Sequence, residues 1–220
     1  MSSAVIQLIV LAGIAIFLIL RLRNVLGTRE GFEKPAAPVA MDSAPRARRG
    51  LEVIDGGPDA DITDHAADGT PAAKALAAMK SAEPSFNVTE FLRGARGAYE
   101  MILTAFDKGE LDKILPFLSR DVYDSFVQVV EQREQAGHTV QSSFVGISDL
   151  TLASAEFNTD TQEAEITVRF TGETNSCVRD KSGQIVEGNP NEIKRQRDVW
   201  TFARKMGADN PNWQLVATGE

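Results

Sequence analysis

The chain of 220 residues has a single cysteine, Cys177, and two histidines, His65 and His138. One cysteine excludes a disulfide scaffold. Two histidines this far apart in sequence do not by themselves make a histidine-based metal site. Positive charge is also short: 23 Lys and Arg stand against 31 Asp and Glu, a net charge of −8. A general nucleic-acid binder carries the opposite balance, so no nucleic-acid partner is expected. No phosphate-cradling glycine loop, paired catalytic carboxylates or metal-ligand spacing occurs. Between Arg21 and Ser85 the only Phe, Tyr or Trp is Phe32. Overall, 43% hydrophobic and 25% charged residues are ordinary globular values. They average over a chain whose parts differ sharply.

Residues 1–20 carry no charged side chain, and Ala4 to Leu20 reads AVIQLIVLAGIAIFLIL. Twenty helical residues rise about 30 Å, roughly the hydrocarbon thickness of a bilayer. The run shows no polar face, as a core helix would. A cleaved signal peptide needs basic residues before the run and a small-residue cleavage site after it. Here Arg21 and Arg23 follow the run. Residues 1–23 are therefore expected to be a single-pass membrane anchor, with Ala4, Val5, Ile6, Leu8, Phe17 and Leu20 in lipid and Arg21 and Arg23 at the headgroups. Arg29 and Lys34 add to the same side, so the positive-inside rule places the N-terminus outside and the rest in the cytoplasm of an inner membrane.

Residues 24–85 read as a flexible linker. Positions 21–49 carry a net charge of +4 and positions 50–69 a net of −6, with Pro35, Pro38, Pro45, Pro58 and Pro71 along the way. So few large apolar residues cannot offset the entropy of ordering the segment. Within it, the alanine-rich residues 72–80 have the propensity for a short helix.

The folded domain is expected over residues 86–220. Asn87-Val-Thr-Glu90 is a capping box. Phe91, Ala95, Ala98, Ile102 and Ala105, with Leu92, Tyr99 and Phe106 beside them, form one helix face that Gly109 ends. Leu111, Ile114, Leu115 and Leu118 predict a second short helix, and Ser119 to Gly137 a third. Thereafter the period becomes two. Strands are expected at 140–147, 150–157, about 163–170, 175–179, 193–205 and 213–217. Helices followed by strands predict an α+β domain with helices packed on one face of an antiparallel sheet.

Phe91-Leu92-x-x-Ala95-x-x-Ala98-Tyr99, Ala105-Phe106-Asp107-Lys108-Gly109-Glu110-Leu111, Trp200-Thr-Phe202-Ala-Arg204 and Asn212-Trp213-Gln-Leu215 together resemble the Tim44-like domain family. That domain is the C-terminal part of the mitochondrial inner-membrane import-motor adaptor. The anchored layout is similar to its bacterial TimA-type members. The long chaperone-binding region of the mitochondrial adaptor has no counterpart here. The resemblance implies a cystatin-like cone of the nuclear-transport-factor-two superfamily, in which a curved sheet wraps helices. It implies an adaptor rather than an enzyme, without cofactor or metal, whose partners are proteins at the membrane, such as a translocase or a chaperone.

Two other readings stay open. Some members of that superfamily are isomerases with an acid or base deep in the cone, for which Tyr99, Tyr123 and Asp124 would be the candidates here. Tyr99 and Tyr123 lie on apolar helix faces, where a tyrosine is usually a core residue with a satisfied hydroxyl, and Asp124 follows a helix start, where an acidic residue favours the helix dipole. Lys194, Arg195 and Arg197 form the domain's basic cluster, a possible patch for a partner or for anionic lipid. Cys177 reads as a small strand residue and His138 as structural or exposed.

Overall fold

The computed structural model describes residues 59–219. The expected span Ala4–Leu20, its flank Arg21 and Arg23, and the linker as far as residue 58 lie outside the described residues. Among the described residues no helix is long and apolar enough to cross a membrane.

Folded structure starts well before Phe86. Helix α1 covers Ala60–Thr63 and α2 covers Pro71–Ala82. Thr70 caps α2 by accepting the Ala73 N–H at 3.2 Å, and Pro71 occupies the first helical position, where no N–H is needed. The residues read as the end of a linker thus form helix, and Ala73, Leu76 and Met79 on one face of α2 are buried. Burying Leu76 or Met79 contributes roughly 1.5–3 kcal/mol each. The acidic composition of 59–68 suggests a solvated segment, but Asp61 is bound into the fold. Its two carboxylate oxygens accept the N–H groups of Val88 and Thr89 at 2.8 and 3.0 Å, satisfying free donors at the start of the next helix.

That helix, α3, runs from Val88 to Lys108. Asn87 caps it through the Glu90 N–H at 2.8 Å, and Gly109 closes it in the left-handed region at φ 72°. The expected second helix is two 3-10 turns, Leu111–Lys113 and Leu115–Phe117. Pro116 supplies no N–H, which prevents an α-helix from continuing through it. Helix α4, Arg120–Ala136, is capped by Ser119 and ended by Gly137, after which the His138 N–H bonds back to the Arg133 carbonyl at 2.9 Å.

The sheet is a four-stranded antiparallel meander in the order β1-β2-β3-β4: Thr139–Asn158, Glu163–Arg179, Ile185–Lys205 and Gln214–Gly219. Six expected strands are four because β1 and β2 are each continuous. Register shifts between Phe144 and Gly146, Ile147 and Asp149, and Leu152 and Ser154 interrupt the alternation of β1 without ending its pairing with β2. The inner face carries Ala164, Ile166, Val168 and Phe170 from β2, and Trp200 and Phe202 from β3. Helices α2 and α3 pack against β1, and α4 against β4. Helices on one face of an antiparallel sheet give the expected α+β class.

Candidate functional site

Side chains able to do chemistry or bind gather in three places: the middle of the core, the surface of α3 and the basic cluster of β3.

In the core, Tyr99 points from α3 at the sheet with no exposed surface. Its ring stacks on Phe170 at 4.4 Å between centroids and tilts against Trp200 at 4.7 Å. Its hydroxyl donates to Asp198 Oδ2, and Gln196 Nε2 donates to Asp198 Oδ1 at 2.8 Å. Burial, and then the Asp198 carboxylate, push the Tyr99 phenol above its ordinary range. Asp198 was not among the sequence candidates. It follows Arg197 in an otherwise exposed run, and only the pairing of β3 with β2 turns it inward.

A tyrosine beside a carboxylate is one arrangement an isomerase uses, but this one is sealed by aromatic rings. Tyr123 and Asp124 lie on α4, where Tyr123 is partly buried against the core and Asp124 is exposed. Asp124 makes a bidentate contact with Arg120 at 3.0 Å on the exposed side of α4. The three residues considered from the sequence are therefore not brought together. Cys177 is a buried free thiol on β2, 3.8 Å from Gln141 Oε1. No cluster of His, Cys, Asp and Glu suited to a metal occurs among the described residues.

On the surface, α3 borders an open groove of about 400 Å³. Its floor is Gly94, Gly97, Ala98 and Met101, and aromatic walls come from Phe91, Phe117 and Trp213. Phe91 meets Trp213 edge-on at 4.7 Å. One end is held by Arg204, whose guanidinium lies 5.3 Å from the Trp213 ring centre. Arg204 Nη2 donates to Glu83 Oε1 at 2.7 Å, and the other Glu83 oxygen accepts the Gly207 N–H at 2.8 Å. Burial resists the Glu83 charge, but the Gly207 N–H and the Arg204 guanidinium outweigh it and hold the carboxyl below its usual range. Arg204 Nε is buried with no partner in the described structure.

The glycines of this groove are informative. A β-carbon at Gly94 or Gly97 would meet nothing within 4 Å, so the core does not require them. Glycine inside a helix costs about 1 kcal/mol relative to alanine. Their effect is to keep α3 bare where the groove lies. The sequence placed Ala98 on the core-facing stripe; it is partly buried against the core and also lines the groove.

Lys194, Arg195 and Arg197 all lie on β3, with Arg195 and Arg197 on one face of the strand and Lys194 on the other. Arg195 is paired with Glu173 across the strands at 2.8 Å, whereas Lys194 and Arg197 form no ion pair among the described residues.

Comparisons with known proteins find relatives by sequence. Relatives include the proteins described as mitochondrial import inner membrane translocase subunit TIM44 of Homo sapiens, 24% identical over 150 residues, and of Mus musculus, 23% identical over 150 residues. Subunit TIM44-1 of Arabidopsis thaliana is 22% identical over 152 residues. These alignments cover 67%, 67% and 66% of this chain but only 33%, 33% and 32% of the relatives, so the chain matches about a third of their length. Among solved structures, the intermembrane space region of the chloroplast protein ARC6 aligns with a TM-score of 0.40 at 12% identity, covering 58% of this chain and 94% of that one. The family match to the Tim44-like domain takes in residues 72–220, including α2, α3, α4 and the whole sheet. The chain belongs to the Tim44-like domain family.

Proposed function

We propose that this chain is a membrane-anchored adaptor whose folded domain holds a protein partner at an inner membrane. The observation that carries the reading is the groove on α3. Two glycines there weaken the helix, fill no packing need and leave an aromatic-walled surface open to a partner. Relatives described as subunits of an inner-membrane import translocase support a partner engaged in moving or inserting proteins.

In this reading Ala4–Leu20 spans the bilayer, Arg21 and Arg23 face cytoplasmic headgroups, and the domain stands in the cytoplasm as a cystatin-like cone. Confinement near the membrane raises the domain's effective concentration for partners there, without any new contact. The sealing of Tyr99 and Asp198 by Phe170 and Trp200 argues against the isomerase alternative, because a substrate would have to displace the core.

A photoreactive residue in place of Met101, on the groove floor, tests the proposal in cells. The expected result is one membrane-associated protein, identified by mass spectrometry, whose capture is lost in Gly97→Leu. Capture unaffected by that substitution removes the groove from the reading. Equal cellular function of residues 59–220 freed from the N-terminal segment removes tethering.

A further inference from the structure

The groove on α3 has a chemistry that selects among occupants. Its charges are already matched. Glu90 pairs with Arg93, and Glu83 pairs with Arg204, so no lining cation lacks a carboxylate among the described residues. An acidic segment gains nothing there. Two lining groups can only donate a hydrogen bond, and neither has an acceptor. Arg204, its side chain 8% exposed, has a buried Nε without a partner. The Trp213 indole N–H makes no hydrogen bond among the described residues, where its ring meets Phe86, Phe91 and Arg204. A buried donor left unpaired is destabilising, and an acceptor supplied by an occupant removes that penalty.

Three backbone shapes are open to a peptide in such a groove. A helix has used its own carbonyls except in its last turn. An extended strand brings carbonyls but also an N–H on each residue, and walls of Phe91, Phe117 and Trp213 offer those groups no ring acceptor to match. A polyproline II segment has no internal hydrogen bonds, so its carbonyls are free, and proline adds no N–H. Aromatic walls are also what its ridged surface packs between. The length agrees. From Asn87 to Met101 the α3 side of the groove is about 21 Å long at 1.5 Å per residue, which about seven polyproline II residues span at 3.1 Å each.

We propose that the groove on α3 docks a proline-rich segment of a partner protein in the polyproline II conformation, whose carbonyls accept from the Trp213 indole N–H and from Arg204 Nε. Gly94 and Gly97 let the prolines approach the floor closely. Arg204 Nε is closed to solvent, and the Trp213 ring centre lies 5.3 Å from the guanidinium, so seating a carbonyl on Nε shifts that ring. The pairing of Arg204 with Glu83 makes a neutral carbonyl a better occupant than a carboxylate, which would bring a second negative charge to one guanidinium.

The proposal deepens the adaptor reading and rests on it for the partner being a protein. Its probe is fluorescein-labelled nonaproline, into which the full-length chain in mild detergent is titrated and followed by anisotropy. Unlabelled nonaproline is added in a parallel titration followed by tryptophan emission. Saturable binding and a change in emission are expected. Binding should weaken about tenfold or more in Gly97→Leu, which fills the floor, and about threefold to tenfold in Trp213→Phe, which keeps an aromatic wall without its N–H. Both variants are melted alongside, and a nonapeptide of alternating Ala and Val is the comparison that needs no variant. No binding of nonaproline, equal binding of the Ala-Val peptide, or indifference to both substitutions overturns the proposal. So does binding that appears only after Pro35→Ala with Pro38→Ala, because the chain's own Pro35-Ala-Ala-Pro38 is then the occupant. The two readings fail separately. Nonaproline binding without capture of a partner at Met101 removes the adaptor alone, and capture that depends on Gly97 without nonaproline binding removes the proline-rich segment alone.

Discussion

Gly172 of β2 lies under the hydroxyl of Tyr99, so close that a β-carbon at Gly172 would stand 2.5 Å from that oxygen. The missing side chain is what lets the phenol reach Asp198 across the core. Gly172→Ala is expected to destabilise the domain by about 1–3 kcal/mol through overpacking. Tyr99→Phe should cost about 1–3 kcal/mol because the buried Asp198 loses a donor. Combined, they should cost less than the sum, since Phe removes the atom that clashes. Urea midpoints of the two single variants and the double variant check this, and strict additivity would contradict it.

Asp61 predicts an acid-sensitive clasp. Burial resists its charge, but Lys80 and the N–H groups of Thr89 and Val88 hold the carboxyl well below the usual range. A depressed carboxyl stabilises the fold above its unfolded value of about 3.9, and that contribution is lost as pH falls toward the folded value. Asp61→Asn is expected to lose about 1–2 kcal/mol at neutral pH, comparable to losing a helix cap. Its stability should also decline less steeply than that of the parent below about pH 4. Equilibrium unfolding across about pH 2–7 shows whether the two curves converge in acid.

The groove glycines predict a separation of stability from function. Gly94→Ala and Gly97→Ala should each stabilise the domain by about 0.5–1 kcal/mol, since neither β-carbon meets anything. Gly97→Leu should fold as well as the parent but occupy the groove and block the partner. Thermal melts alongside the Met101 crosslink distinguish this from a purely structural role, for which melting and capture would change together.

A fragment beginning at Phe86 should fail as an independent domain. It lacks Ala73, Leu76 and Met79 of the core and the Asp61 contacts at the head of α3. Loss of Leu76 and Met79 alone removes roughly 3–6 kcal/mol, a large part of a small domain's stability. A fragment beginning at Asp59 should unfold cooperatively, whereas the shorter one should bind a hydrophobic dye and melt broadly.

The linear chain by itself determined the class of fold and much of its local detail. Asn87 and Gly109 bracket α3, and Ser119 and Gly137 bracket α4, because caps act through neighbours within a turn. The apolar period fixed which faces of α3 and β2 turn inward, and the motifs around Tyr99 and Trp213 were enough to point to the family. Tertiary structure decided the rest. Residues 59–85 read as linker because their apolar stripe is narrow and made largely of alanine, and it is the β1 surface, the head of α3 and Arg204 of β3 that give them partners. The bulges of β1 hid its continuity, because the pairing that survives them is with β2 and not with neighbours in sequence. The inward turn of Asp198 depends on which strand lies alongside β3. Cross-strand register is a relation between segments far apart in the chain, and no local period encodes it.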